Sequence, residues 1–384
     1  MEKKRQHYVP QFYIKYFSPD NIHINVYNLK RREAFLNEIK TTFQEKYFYG
    51  KEIDFEENFN YFENNQRPVF SRIISDGSLR SLSMMDGVNV LFFIINQCTR
   101  TKDAKRLADS KVDLYEKYLP SVSHDPEFQK YPDIEIDEPR SKKNQLFETT
   151  MLESNLWVTL ICDLTPVLIK NETDLNLISS DTPVVKNNYI IDSKYNFTGF
   201  QSVGLQIFLP LNPKLCLLLY DPAMYKIPEA KQGIIRVNGR RDIDKINHLQ
   251  IMNCVGDVIF SDSSEKEYIK SIHLELEKEK KPKAMVEKSF HKSIQKGGLT
   301  KEIIVIQTEG ENPNLKFSFI KQDHHIHKNI KDKIRKSLFS GKPENFYRNQ
   351  DVVNRMDQDS QNLGYQAIIW NILNPPKKRI EDRK

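Results

Sequence analysis

The period of the hydrophobic pattern changes about half-way along the chain. In the first half, apolar residues recur at helical spacing over 54–75, where Pro68 predicts a kink or a break, and over 83–119. In the second half, the short apolar runs at 205–211 and 215–220 are bounded by turn residues and are typical of strands. Helices followed by strands favour an α+β fold. We expect helices packed on a small, mostly antiparallel sheet.

The composition changes again after residue 263. In 264–384, 25 Lys and Arg residues stand against 17 Asp and Glu residues, although the whole chain has a net charge of only +6. The chain of 384 residues is long enough for two domains, or for one domain with an appendage. We predict an α+β domain over 1–262, a charged helix or linker over 263–300 and a basic C-terminal α/β appendage over 301–384. A basic appendage indicates contact with phosphate-rich partners such as nucleic acid.

Turn residues predict two hairpins. Asn212-Pro213-Lys214 separates the two strand-like runs of the body. Asn312-Pro313 separates the apolar runs at 302–307 and 315–320 in the appendage. Each pair of runs is therefore expected to pair across its turn.

The four cysteines are far apart in the sequence and form no CxxC pair. Each lies in an apolar run, which is typical of small buried side chains in a reducing compartment. The N-terminal residues lack the apolar core of a secretory signal, and the longest apolar runs are much too short to span a bilayer. We therefore expect a cytoplasmic protein without a membrane partner.

The segment 7–17, HYVPQFYIKYF, places a histidine three residues before a proline. Pro10 suits the first turn of a helix, and the rings after it recur at helical spacing, which predicts a short helix over 10–17. An imidazole held in front of such a helix is a candidate general acid or base, or a metal ligand. The alternative for His7 is a surface histidine on a loose N-terminus.

Gln97 and Arg100 follow an unbroken apolar block in the helix predicted over 83–119. Three residues apart on one helix, they project on the same side. The planar fork of arginine matches a carboxylate or a phosphate, and a buried guanidinium needs such a partner because an unpaired interior charge is costly. The two interpretations of Arg100 are a substrate-binding residue and a structural salt bridge to Glu63 or Asp181.

Two carboxylates are candidates to act with the histidine and the arginine. Glu63 lies at the buried edge of the first long helix, where it can orient an imidazole, bind a divalent metal or pair with an arginine. Asp181 ends an apolar run just before a proline, and polar residues at the end of a buried strand are common functional groups. The alternative for Asp181 is an Asx-turn that caps the strand. We predict that one cleft is formed by His7, Glu63, Gln97, Arg100 and Asp181.

Other chemistries lack a motif in this sequence. The cluster His324, His325 and His327 has no second ligand group at zinc spacing. The chain contains no GxSxG, no HExxH and no phosphate-binding loop. The cofactor therefore stays open, with a divalent metal as the candidate.

These motifs together resemble the signature of a bacterial domain family described as of unknown function. HYVPQFYIKYF is similar to the family's N-terminal His-x-Val-Pro-x-x-Tyr-Leu-x-x-Phe pattern, with Ile14 in place of the usual leucine. Four further motifs follow in the same order as in the family. NVYNLK is similar to the family's early strand, and INQCTRTK to its glutamine–arginine helix. SSDTPVV is similar to its Ser-Asp-x-Pro-Val strand end, and LPLNPKLCLLL to its Pro-Leu-Ser-Pro hairpin. Asn212 replaces the usual serine. The resemblance covers roughly 6–262 and implies a fold and a candidate site, and members are suspected of roles in bacterial conflict with phages.

The leading functional hypothesis is an enzyme that cleaves phosphodiester bonds in nucleic acid. His7 would be the general acid or base, Arg100 would stabilise charge on the phosphate, and Glu63 or Asp181 would orient the histidine or hold a divalent metal. The basic C-terminal region would add non-specific phosphate contacts. The second hypothesis is a non-enzymatic sensor that binds a nucleotide or a phage component in the same cleft. The third is a purely structural polar network in which Glu63 and Asp181 neutralise Arg100.

Overall fold

The computed structural model describes residues 5–49, 54–110, 154–190, 198–278, 285–294, 300–309 and 314–322, together with Asp113, Met151 and Arg348. The helices in these ranges are Gln11–Lys15 (α1), Asp54–Asp76 (α2), Met84–Thr99 (α3), 102–110 (α4), Arg240–Asn253 (α5) and Lys266–Lys278 (α6). No helix in the described part of the chain is both long and apolar enough to cross a membrane.

The strands complete an α+β fold, the class that the sequence predicts. They are Arg5–His7 (β1), His23–Asn28 (β2), Glu33–Glu38 (β3), Gln44–Lys46 (β4), Thr165–Asn171 (β5), Ser179–Ser180 (β6), Val185–Asn187 (β7), Gln206–Asn212 (β8), Leu215–Tyr220 (β9), Tyr225–Lys226 (β10), Ile234–Val237 (β11), Asp257–Phe260 (β12), Met285–Ile294 (β13), Thr300–Glu309 (β14) and Lys321–Gln322 (β15).

Two mostly antiparallel sheets form the framework, where the sequence suggested one small sheet. The five-stranded sheet has the order β11-β5-β9-β8-β7, and in it only β11 and β5 run parallel. The four-stranded sheet has the order β3-β2-β12-β6 and is antiparallel throughout. Because β2 lies beside β12, strands from both ends of the body pair directly, and the N-terminal segment is built into the fold.

Aromatic rings pack α1 against α2 and α3. The ring centroids of Phe70 in α2 and Phe93 in α3 are 4.5 Å apart. Phe12 of α1 lies 6.0 Å from Phe70 and 5.9 Å from Phe93. Such ring pairs stabilise a fold by more than the burial of their apolar area alone. They fix α1, and the residues that precede it, against the two long helices.

The hydroxyl of Tyr13 ties α1 to both sheets. It donates a hydrogen bond to the carbonyl oxygen of Pro210 in β8 at 2.6 Å and lies 2.8 Å from the hydroxyl of Ser179 in β6. The Tyr13 side chain is fully buried, and this burial raises its pKa, so the hydroxyl keeps its proton. One side chain therefore sets the position of α1 relative to two strands that are distant in the sequence.

Replacing Tyr13 by phenylalanine is expected to lower the free energy of unfolding by about 1–3 kcal/mol, because the Pro210 carbonyl loses its donor in the interior. Tyr61→Phe is the matched control, since Tyr61 is 68% exposed, and it should change stability by less than about 0.5 kcal/mol. Urea denaturation of both variants measures the difference. Equal effects of the two substitutions would contradict the anchoring role of the Tyr13 hydroxyl.

The predictions for the two long helices are each met only in part. At Pro68 the sequence predicted a kink or a break, and α2 runs through this residue without a break. Val69 and Phe70 beside it are buried, so their packing stabilises the helix against the cost of an internal proline. The helix predicted over 83–119 is interrupted, because α3 ends at Thr99 and α4 starts at residue 102. Most of 111–119 lies outside the described residues.

The prediction of a hairpin around Asn312-Pro313 is wrong. β14 pairs with β13 instead, in an antiparallel ladder that joins Met285 to Glu309 and Ile294 to Thr300. The sequence of β13 favoured a charged helix or linker instead, because its apolar residues Val286, Phe290 and Ile294 are four residues apart, which is helical spacing. The second predicted partner, 315–320, forms no strand.

Part of the region after residue 300 packs on the body. The Phe317 ring centroid lies 4.7 Å from that of Phe208 in β8, and β15 pairs with β10. The guanidinium of Arg348 donates to the Asp163 carboxylate at 3.1 Å. The division into 1–262, 263–300 and 301–384 stays a prediction.

The four cysteines all lie in the described part of the chain, and they form no disulfide there. Cys216 and Cys254 are buried and Cys98 is partly buried, but Cys162 is exposed, which corrects the expectation that each is a small buried side chain. Burial raises the pKa of the Cys98 thiol to about 11, so this group stays protonated near neutral pH.

Candidate functional site

A cavity of about 390 Å³ opens between β1, α1, α2 and the C-terminal end of α3. Its volume is typical of a pocket for one small ligand. The residues that line it are Arg5, His7, Gln11, Phe12, Lys15, Tyr49, Phe59, Asn60, Glu63, Asn64, Arg67 and Arg100. Four of them carry a positive charge and one a negative charge, so the cavity favours an anionic ligand.

β1 places Arg5 and His7 on the same face, because alternate residues of a strand point to the same side. Gln6 between them is buried, and its side-chain oxygen accepts a hydrogen bond from the main-chain N–H of Tyr49 at 2.7 Å. β1 also pairs with β4, where His7 lies opposite Gln44. The histidine is therefore held by the fold, and the alternative of a loose N-terminus does not apply.

Arg100 connects three separate parts of the chain below the cavity. Its Nε donates to the hydroxyl of Tyr49 at 2.7 Å, and its Nη2 donates to the main-chain oxygen of His7 at 3.0 Å. Nη1 and Nη2 both donate to Oε1 of Glu63 at 3.1 Å. The Tyr49 hydroxyl in turn donates to the same His7 oxygen at 3.0 Å. This network joins β1, α2 and the end of α3.

The break between α3 and α4 puts Arg100 in this position. Arg100 is the C-terminal cap of α3, and the next residue, Thr101, accepts a hydrogen bond from the main-chain N–H of Ala104 at 3.1 Å with its hydroxyl. A threonine in this role starts a new helix. The chain therefore turns at Arg100, which a single helix over 83–119 would not do.

Arg100 is a buried charge with satisfied partners. Burial disfavours its charged form, but the adjacent Tyr49 hydroxyl and Glu63 carboxylate outweigh burial, and the pKa of Arg100 lies above its usual value. The guanidinium carbon also lies 4.0 Å from the ring centroid of Phe59. Of the two interpretations of Arg100, the structure shows the salt bridge, with Glu63 as the partner. Both contacts use Oε1 of Glu63, so Oε2 has no partner among the described residues.

Three exposed cations surround the cavity, and sequence reasoning missed all of them. They are Arg5 on β1, Lys15 on α1 and Arg67 on α2. Within the described part of the chain, no carboxylate lies within ion-pair distance of any of the three. One sequence signal could have indicated Arg67 as a residue of the site. It is four residues after Glu63, and this helical spacing puts both side chains on one face of α2.

The structure leaves two of the five predicted site residues outside the cavity. Gln97 is 1% exposed and lies among the buried residues of α3. Asp181 is also buried, and its carboxylate accepts hydrogen bonds from the main-chain N–H groups of Val255 at 3.0 Å and Gly256 at 2.7 Å. The carboxylate of Asp181 therefore holds the distant turn before β12, which is a structural role but not the local Asx-turn that the sequence offered as the alternative. His7, Glu63 and Arg100 are the predicted residues that the fold brings together.

Burial raises the pKa of Asp181 in the folded chain, although the hydrogen bonds from Val255 and Gly256 act in the opposite direction. The folded state therefore binds this proton more tightly than the unfolded state, and the contribution of Asp181 to stability falls as pH rises through the raised pKa. In Asp181→Asn this dependence is absent. We expect the wild type to lose stability relative to Asp181→Asn in urea denaturation as the pH rises above about 4, the ordinary pKa of an aspartate. The raised pKa would be contradicted if the difference in the free energy of unfolding between the two proteins did not depend on pH. It would also be contradicted if the wild type gained stability relative to Asp181→Asn as the pH rises.

A metal ion would have few protein ligands in this cavity. In the ranges that the structure describes, no group of three or more His, Cys, Asp and Glu side chains is placed to hold a metal. Glu63 and His7 are the two candidate donors that line the cavity. Mg²⁺ is often held by one or two carboxylates together with substrate phosphates, so a metal here would depend on the ligand.

Comparison with known proteins assigns the family. A family described as "Protein of unknown function (DUF4238)" matches residues 5–264. The chain belongs to this family. The DUF4238 match begins at β1 and extends just past β12, so it includes every residue that lines the cavity. No curated protein and no solved structure matches the chain.

Proposed function

We propose that the cavity binds a phosphate group of a nucleic acid and cleaves a phosphodiester bond there. The observation that carries the proposal is the set of exposed cations Arg5, Lys15 and Arg67 around a concave pocket that also contains His7. Arginine and lysine bind phosphate oxygens through charge-assisted hydrogen bonds. Imidazole titrates near neutral pH and serves as a general acid or base.

The roles within the site differ from those that the sequence suggested. Arg100 already donates to Tyr49, His7 and Glu63, so we assign the stabilisation of phosphate charge to the exposed cations. His7 remains the general acid or base. Glu63, whose Oε2 is unused within the described residues, orients a substrate group or holds a divalent metal.

A non-enzymatic sensor that binds a nucleotide in the same cavity is the second candidate function. The observation that favours it is the full engagement of Arg100, which leaves this buried cation unable to turn towards a reacting phosphate. A role in bacterial defence against phages stays a prediction from the resemblance.

Incubation of the full chain with end-labelled RNA and DNA, with and without EDTA, tests the proposal. Labelled products of defined length are expected from at least one of the nucleic acids. Products that disappear with EDTA would indicate that the cleavage requires a divalent metal. Binding of both nucleic acids without any product would contradict the enzyme and favour the sensor.

A further inference from the structure

Besides its cations, the cavity presents three carboxamide side chains. Asn60 and Asn64 are four residues apart on α2 and therefore share one face, and Gln11 belongs to α1. All three are exposed, and none has a hydrogen-bond partner among the described residues. Each can donate and accept at the same time.

A ligand that satisfies the carboxamides must have hydrogen-bond donors as well as acceptors. A phosphate diester only accepts hydrogen bonds, so it satisfies Arg5, Lys15 and Arg67 but leaves the side-chain oxygens of the carboxamides unused. Oε2 of Glu63, which has no partner within the described ranges, is a further acceptor in the same cavity. The edge of a nucleobase supplies both donors and acceptors, and asparagine and glutamine pair with such edges in two-point contacts.

We infer that the cavity takes one unpaired nucleotide of a single strand, with its phosphate on the exposed cations and its base edge on Asn60, Asn64 and Gln11. This inference rests on the proposed function and names its substrate class. In a duplex, the base edges are paired and stacked inside the helix, and chemistry at a single nucleotide requires its removal from the stack. A cavity of about 390 Å³ encloses one small ligand, whereas a duplex would only lie across its mouth.

Three fluorescein-labelled DNA probes of equal length test the inference: a single strand, its duplex and an abasic single strand. Fluorescence anisotropy of the full-length His7→Ala protein measures binding, and a gel checks that the probes stay intact. The single strand is expected to bind at least about tenfold more tightly than the abasic strand or the duplex. Equal affinity for the single and the abasic strand would overturn the inference but leave phosphate binding in place. Absence of binding for all three probes would overturn the proposed function as well.

Two neighbouring asparagines on α2 provide a matched pair of variants. Asn64 lines the cavity, whereas Asn65 is exposed beside it and does not line it. Asn64→Ala is expected to weaken binding of the single strand by about tenfold and to leave the affinity for the abasic strand unchanged. Asn65→Ala should leave both affinities unchanged. An equal loss for both probes in Asn64→Ala, or the same loss in Asn65→Ala, would overturn base recognition at this site.

Discussion

Replacement of Arg100 by methionine is expected to lower the free energy of unfolding by about 3 kcal/mol. Removal of one partner from a buried ion pair typically costs about 3–5 kcal/mol, because the other charge is left without compensation. The lower end of this range applies here, because the partner left behind is Glu63, whose side chain is 24% exposed and can regain some water. The Arg100 side chain itself is 4% exposed. The Tyr49 hydroxyl and the His7 carbonyl oxygen also lose a donor.

A surface ion pair supplies the control for Arg100→Met. Arg240 pairs with Asp174 at 2.6 Å, but their side chains are 56% and 78% exposed. Exposed pairs contribute little, so Arg240→Met should lower the free energy of unfolding by less than about 1 kcal/mol. Urea denaturation of both variants gives the comparison. Similar losses in the two variants would mean that Arg100 does not organise the site.

His7→Ala is expected to reduce phosphodiester cleavage by about a hundredfold or more, the usual contribution of a general acid or base. The fold should survive the substitution, because Arg100 and Tyr49 bind the main-chain oxygen of His7, and alanine retains that atom. The loss should therefore appear in the rate under single-turnover conditions, while affinity for the nucleic acid persists.

His23→Ala is the control for this experiment. His23 lies on β2, outside the cavity, where its ring is paired with Asp20. Its replacement should leave the cleavage rate unchanged. Full cleavage by His7→Ala would remove the imidazole from the mechanism, and an equal loss in both variants would indicate a general defect in folding.

Local patterns predicted much of this fold. Pro10 and the rings after it indicated α1, and the run around Asn212 indicated the β8–β9 hairpin, because propensity and turn chemistry act over a few residues. The salt bridge between Arg100 and Glu63 was also one of two stated alternatives, since a buried arginine requires a partner.

The parts of the site that the sequence did not predict depend on contacts between segments that are distant in the chain. Lys15 and Arg67 are exposed residues on amphipathic helices, and in the sequence they look like any other solvated charge. Only the packing of α1 against α2 brings them to one cavity. Asp181 lies at a strand end, which suits a functional residue and a turn cap equally well. The N–H groups that decide its role come from Val255 and Gly256, more than 70 residues further along the chain.

A crystal of the full chain soaked with adenosine 5′-phosphorothioate would test the account most directly. The anomalous signal of sulfur marks the phosphate position without reference to any assumed binding mode. We expect a sulfur peak within hydrogen-bond reach of Arg5, Lys15 or Arg67, with the adenine inside the cavity beside Asn64. A peak elsewhere on the protein with the cavity empty, or the lack of any bound nucleotide, would contradict it.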